Sequence, residues 1–173
     1  MKMRNSQTEM LRRIDDLEST ESVDVRTGGI SVNRDDAGNP QDHLAIGTPI
    51  PDFGLKDAAG NIFAKDRLLN GRPSLIFFVG ANCIPCAAMR PDLDRWESEL
   101  KDRFNIIYVT NGDEKAIERK FGRDGRVILF DPERDLTRKV FARWTPAALA
   151  ISRSGRIASH VATGDKSIRI FVS

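Results

Sequence analysis

The run Ser74-Leu75-Ile76-Phe77-Phe78-Val79 is apolar after its first residue and is closed by Gly80. A run of that length without alternation offers no polar face, which suits a strand buried on both sides of a sheet. Asn105 to Thr110 and Val127 to Phe130 repeat the pattern, and Ala147 to Ile151 is a further strand. The turn Ser152-Arg153-Ser154-Gly155 then leads into Arg156 to Ala162, which pairs with that strand as a hairpin. Between these runs the spacing changes to three and four. Met89, Leu93, Trp96 and Leu100 fall on one face of a helical stretch running from about residue 83 to about Asp102. Residues 114–121 read as helix, Leu136 to Phe141 as a short helix, and Asp165 to Val172 as a closing helix with Ile168 and Phe171 inward. Asn61-Ile62-Phe63 is a short strand, and Pro49 and Pro51 pin an entry segment over 47–53. Strands alternating with helices predict parallel βαβ units, and the terminal hairpin adds an antiparallel pair. The fold class is α/β, with a mixed central sheet flanked by helices.

The pattern is different before residue 47. All 12 aromatic residues follow Asp52, so residues 1–46 lack the side chains that contribute most to core burial. They form an N-terminal arm, and 47–173 the folded domain. Met10, Leu11, Ile14 and Leu17 have helical spacing and predict a short amphipathic helix over about 5–19. Met3, Met10 and Leu17 recur every seventh position, but polar Ser6 and Arg13 stand between them. A single broken stripe describes a solvated arm better than a coiled coil, with a partner-binding helix as the alternative. Residues 19–42 read as a linker.

Composition narrows the function classes. Apolar residues make up 40 % of the 173, a globular mixture rather than a disordered chain. No stretch approaches the roughly 20 apolar residues of a membrane span. No secretory signal is visible, so the sequence as it stands reads as cytoplasmic; an export signal or anchor upstream would make it extracytoplasmic or membrane-bound. The net charge of +2 is too balanced to indicate nucleic acid or an acidic membrane. It is unevenly divided, −3 over 1–46 and +5 over 47–173. The basic runs at 115–120 and 123–126 read as solvated faces. Gly28-Gly29 and the glycines at 122 and 125 fit no phosphate loop, because no Gly-Lys-Ser/Thr follows either.

Two cysteines, Cys83 and Cys86, are too few for a disulfide framework, but their place in the pattern is informative. They follow the most apolar strand and open a helix. Backbone N–H groups without intrahelical partners at a helix start favour an anion there, which a Cys83 thiolate supplies. Cys86, one turn on and more buried, is placed to resolve a mixed disulfide held by Cys83. Pro85 is tolerated because the first turn has no use for its N–H. The alternatives are a metal site or two inert core cysteines. Zinc would need two further ligands, and the histidines are His43, in the linker, and His160, read as a half-exposed strand residue.

These residues resemble the thioredoxin-like superfamily. Its members carry Cys-x-x-Cys at this strand–helix junction, a proline five residues after the second cysteine, here Pro91, and a cis-proline before a later strand, here Pro146 in Thr145-Pro146. The entry segment Gly47 to Phe53 and Gly-Arg-Ile-Ala-Ser at 155–159 are similar to the redoxin branch of cytochrome-maturation thioredoxins and methylamine dehydrogenase accessory proteins. The resemblance covers about 47–172. It implies that Thr145 and Pro146 hold an extended substrate segment through backbone contacts.

The sequence departs from that pattern in several places. Asn82 replaces the usual tryptophan before the first cysteine, where it can cap the helix or lie near the thiol. Phe77 stands where thioredoxin has a buried aspartate, and Met89 where many cytochrome-maturation relatives have a glutamate. Gly80 stands where peroxiredoxins have a threonine, which disfavours a peroxidase. Trp144 reads as a core residue, with a role in a groove beside Pro146 as the alternative.

The sequence therefore predicts a thiol–disulfide oxidoreductase. Cys83 attacks, Cys86 resolves, and protein disulfides and a redox partner are the substrates. The sulfurs carry both electrons, so neither metal nor organic cofactor is expected. The competing classes are a partner-binding or assembly module on the same scaffold, and a chaperone holding a soft metal on the two thiolates.

Overall fold

The computed structural model describes residues 43–122 and 125–172. The predicted helix over 5–19 and the linker over 19–42 lie outside the described residues. Among the described residues one seven-stranded sheet has the order β2-β1-β5-β4-β3-β6-β7. The strands are β1 (Gly54–Lys56), β2 (Ile62–Ala64), β3 (Ser74–Phe78), β4 (Asn105–Thr110), β5 (Val127–Phe130), β6 (Ala147–Ile151) and β7 (Ala162–Thr163). β3, β4 and β5 run parallel; β6 lies antiparallel to β3, and β1 antiparallel to β5. The helices are α1 (Ile84–Ala88), α2 (Arg90–Leu100), α3 (Glu114–Phe121), α4 (Asp135–Lys139) and α5 (Asp165–Val172), with a 3-10 turn at Lys65–Leu68. This is the mixed, helix-flanked sheet that the pattern predicts.

β3 is buried at every position and its side chains alternate between two cores. Leu75, Phe77 and Val79 join Leu93, Trp96, Leu100 and Ile168 on the face covered by α2 and α5. Ile76 and Phe78 join Leu55, Leu68, Leu136 and Leu149 on the opposite face. Fully burying a side chain of that size contributes about 1.5–3 kcal/mol, so a strand with no solvent face is a dense source of stability. Leu44 packs against the second core, so contact with the folded body begins before residue 47.

Four expectations need correction. The helical stretch predicted up to about Asp102 is two helices that meet at Met89. Pro91 has no N–H to give the Ala87 carbonyl, and its ring crowds that carbonyl, so the first helix cannot continue through it. The hairpin strand predicted over 156–162 is interrupted. Ile157 bridges Ile151, then the Ser159 hydroxyl takes the Ala150 N–H at 2.9 Å, and pairing resumes only at β7. Arg156 and Ile157 are also drawn to the entry segment, where Ile157 N–H donates to the Thr48 carbonyl at 2.7 Å. The turn before them needs Gly155 at φ 79°, where a Cβ would stand 3.0 Å from the Leu69 side chain. His160 lies between these pieces rather than in a strand, and its ring packs edge-on against His43 with centroids 4.6 Å apart.

The fourth correction concerns charge. Arg126, read as part of a solvated face, has a side chain only 4 % exposed. It donates to Glu97 (2.8 and 2.6 Å), Asp94 (2.7 Å) and the Phe121 carbonyl (2.6 Å) and lies over the Tyr108 ring. Burial pushes the Tyr108 hydroxyl well above its ordinary range, and the Glu97 carboxylate that accepts its hydrogen bond adds to this. The network ties the start of β5 to α2, beside a cavity of about 570 Å³ at the N-terminal end of the parallel strands. Removing one partner leaves the other charges poorly compensated. Arg126→Ala should lower the unfolding free energy by about 2 kcal/mol, read as a lower urea midpoint at unchanged slope.

Candidate active site

The two cysteines sit at the opposite end of the parallel strands, just beyond β3. Phe78 pairs with Ala147 across the β3–β6 ladder, so the residues after β3 and those before β6 meet at one sheet end. Gly80 marks the meeting point. A Cβ there would stand 3.4 Å from both the Cys83 Cβ and the Thr145 Oγ1, so the bare backbone lets the two loops close together. The Thr145–Pro146 peptide bond is cis, and the Pro146 carbonyl accepts the Gly164 N–H at 2.8 Å.

Cys83 is the N-cap of α1, with extended backbone at φ −88° and ψ 107°. Its Sγ accepts a hydrogen bond from the Cys86 N–H at 3.2 Å. The cap is therefore the sulfur itself and not Asn82, which is exposed and is corrected in that respect. Pro85 occupies the first turn. α1 is only five residues long, so the direct N–H donation to Sγ is a more definite source of anion stabilisation than a helix dipole. Cys83 and Cys86 are joined as a disulfide, with Cα atoms 5.2 Å apart. Cys86 is fully buried, whereas Cys83 is half-buried at the edge of the first core.

The surroundings of the pair are apolar. Phe77 and Met89, at the two positions where the resemblance leads one to look for a carboxylate, are each 1 % exposed and carry none. Trp144 is 70 % exposed, so it is not the core residue the sequence suggests, and it stands immediately before Thr145-Pro146. Ile84, between the cysteines, is 83 % exposed. Two large apolar side chains thus stand in solvent, one between the cysteines and one next to the Thr145–Pro146 bond. Sequence reasoning missed one polar participant. Lys120 Nζ, at the end of α3, donates to the Ala81 carbonyl two residues before Cys83. Only the contact reveals it, because a lysine in a charged amphipathic helix has no local signature.

A parallel βαβ core with an antiparallel continuation, a Cys-x-x-Cys pair at the first strand–helix junction and a cis-proline loop facing it defines the thioredoxin-fold class. Within that class the chain belongs to the AhpC/TSA family, whose pattern matches residues 46–160. It is 35 % identical over 81 residues to the thioredoxin-like protein HCF164, chloroplastic, of Oryza sativa subsp. japonica. That match spans 43 % of this chain and 30 % of the rice protein. Among solved structures it is similar to a thiol:disulfide interchange protein from Bacteroides sp., at 25 % identity and a TM-score of 0.57 over 75 % of this chain and 91 % of that one. It is also similar to the thioredoxin domain of a thiol-disulfide oxidoreductase from Bacteroides vulgatus, at 22 % identity and a TM-score of 0.57 over 75 % and 99 %. A secreted disulfide oxidoreductase of Mycobacterium tuberculosis shares the fold at 19 % identity and a TM-score of 0.52, over 60 % and 78 %. No helix among the described residues is long and apolar enough to cross a membrane.

The unequal burial of the two sulfurs has a measurable consequence. After reduction, one equivalent of iodoacetamide should label Cys83 at least about tenfold faster than Cys86, because alkylation needs an accessible thiolate. Peptide mapping by mass spectrometry checks this, and equal labelling would contradict the burial pattern.

Proposed function

We propose that the chain is a thiol–disulfide oxidoreductase that exchanges electrons with protein disulfides through Cys83 and Cys86. The observation that carries the reading is the half-buried Cys83, capping α1 beside Thr145-Pro146 and bonded to a fully buried Cys86. Family membership and the names of similar proteins support it.

In the reducing direction the Cys83 thiolate attacks one sulfur of a target disulfide. A mixed disulfide forms, and the target's other sulfur leaves as a thiolate that takes a proton. Cys86 loses its proton and attacks Cys83 Sγ. The mixed bond breaks, the target's second sulfur leaves, and the Cys83–Cys86 disulfide is restored. Two electrons pass to the target, and the reverse sequence oxidises a dithiol. Thr145 and Pro146 hold the extended target segment, with Asn82 and Pro85 as supporting residues. Ile84 and Trp144 offer an apolar surface to it. No metal or organic cofactor enters any step.

Cys83→Ser should abolish insulin-disulfide reduction, and Cys86→Ser should accumulate a mixed disulfide visible on a non-reducing gel. Full activity of Cys83→Ser would sink the assignment of roles. A second expectation follows from Phe77 and Met89. With no carboxylate at either position to receive the Cys86 proton, the resolving rate should rise about tenfold per pH unit toward the thiol range near about 8.5. Stopped-flow resolution of a preformed mixed disulfide on Cys83, where Cys83 no longer titrates, reads this directly, and a separate titration between about pH 5 and 7 would contradict it.

A further inference from the structure

We propose that Lys120 is a positioning residue for the dithiol, tethering the loop before Cys83 and holding a positive charge that favours the Cys83 thiolate. The inference rests on the thiol–disulfide reading above and deepens it.

The loop after β3 is short. Val79 N–H donates to the Val109 carbonyl, and Cys83 N–H reaches back to the Gly80 carbonyl at 3.4 Å. Ala81, between them, is 9 % exposed and lies beside the Gly112 turn that leads into α3. A Cβ on Gly112 would stand 3.6 Å from the Ala81 Cβ and 3.5 Å from Ile117 Cγ1. Ile117 is fully buried on this contact face of α3. Lys120 follows Ile117 by three positions, on the same side of the helix. From there its Nζ donates to the Ala81 carbonyl. One of three ammonium protons is used and the charge remains, beside the backbone that delivers Cys83.

What else faces Cys83 gives this charge its effect. The approach to β6 brings Trp144, Thr145 and Pro146, none of them ionisable, and the guanidinium of neighbouring Arg143 lies over the Phe141 ring at 5.8 Å. Met89 closes α1, and Phe77 lies beneath in the core. The ammonium is thus held two residues before a sulfur that has one N–H donor and uncharged side chains, the Thr145 hydroxyl among them, beside it. Reduction of the Cys83–Cys86 disulfide takes two electrons and one proton. The proton goes to Cys86, and Cys83 is left as the thiolate. A dithiol donor supplies the electrons, becomes a disulfide and gives its other proton to solvent. A fixed cation near the thiolate favours the right-hand side and raises the reduction potential.

The test compares wild type, Lys120→Met and Lys120→Arg in reduced and oxidised form. The pH midpoint of Cys83 alkylation should rise by about half a unit in Lys120→Met, the scale of one surface charge pair. The dithiol–disulfide constant against glutathione should shift about threefold toward the oxidised protein, equivalent to about 14 mV at 29.6 mV per decade. Lys120→Arg should restore both. Salt from about 0.05 to 1 M should raise the wild-type midpoint more than that of Lys120→Met, because the variant lacks the share of the field that Lys120 supplies. A purely structural tether predicts the same salt effect in both proteins and no restoration by Lys120→Arg of a lost midpoint shift, and either result would overturn the proposal. If the wild type failed to exchange disulfides at all, the functional reading would fall; an unchanged Lys120→Met potential in an active protein would remove the Lys120 role alone.

Discussion

The two-sided burial of β3 is the constraint from which the rest of the molecule follows. Because Leu75, Phe77 and Val79 face one core and Ile76 and Phe78 the other, neither helix layer can shift without exposing half of the strand. Register is fixed for the same reason. A one-residue slip would exchange the two faces, and both are occupied. With β4 pairing parallel on one side and β6 antiparallel on the other, the C-terminal end of β3 is held from both edges. The dithiol is the next thing the chain builds. Its position opposite Thr145 is set by the Phe78–Ala147 pair and by the space that Gly80 leaves between the loops.

Charge is used differently at the two ends of the strands. At the N-terminal end Arg126 is sunk among Glu97, Asp94 and the Tyr108 ring and donates four hydrogen bonds. At the same end Arg72 donates to the Lys101 carbonyl beyond α2, satisfying a carbonyl that the helix leaves open. These cations are committed to holding elements together. Asp131 does similar work as an anion. It is 1 % exposed, and its carboxylate accepts from the Asp135 and Thr137 N–H groups at 2.8 and 2.9 Å, capping α4 from outside the helix. The excess of basic residues over 47–173 is thus partly internal scaffolding, which is why net charge alone says little about what the surface binds.

Where the sequence was legible, the information was local. β4, α3, β5, β6 and α5 match their expected ranges because an apolar run or a 3.6-residue stripe decides each within a few residues. β1 was not legible. Gly54–Lys56 has one buried side chain, Leu55, and becomes a strand only by pairing with β2 and, at Lys56, with Phe130 far along the chain. The interrupted hairpin failed for a related reason. Arg156 and Ile157 choose between β6 and the entry segment, a competition that no short window contains. Trp144 and Arg126 reverse the usual assignment of aromatics to the core and arginines to solvent. Arg126 is explained by its tertiary neighbours, the carboxylates of Asp94 and Glu97, whereas Trp144 stands in solvent in the segment that leads into Thr145-Pro146.

The same distinction separates what was legible at the candidate site. Cys83, Pro85 and Cys86 announce themselves because their chemistry depends on helix-start geometry, which spacing encodes. Pro146 needed the family resemblance, since most X–Pro bonds are trans and nothing local marks this one. Lys120 had no signature of either kind. Its place comes from the approach of the Gly112 turn before α3 to Ala81, and its Nζ reaches the carbonyl of a loop some forty residues earlier. A dithiol's redox chemistry depends on the groups that stabilise one sulfur as an anion. On the proposed reading those groups divide into an N–H donor supplied by the motif itself and a cation, Lys120, held at the Ala81 carbonyl. On that reading the motif specifies the kind of chemistry, while a lysine brought in from the end of α3 sets how strongly one sulfur is held as an anion.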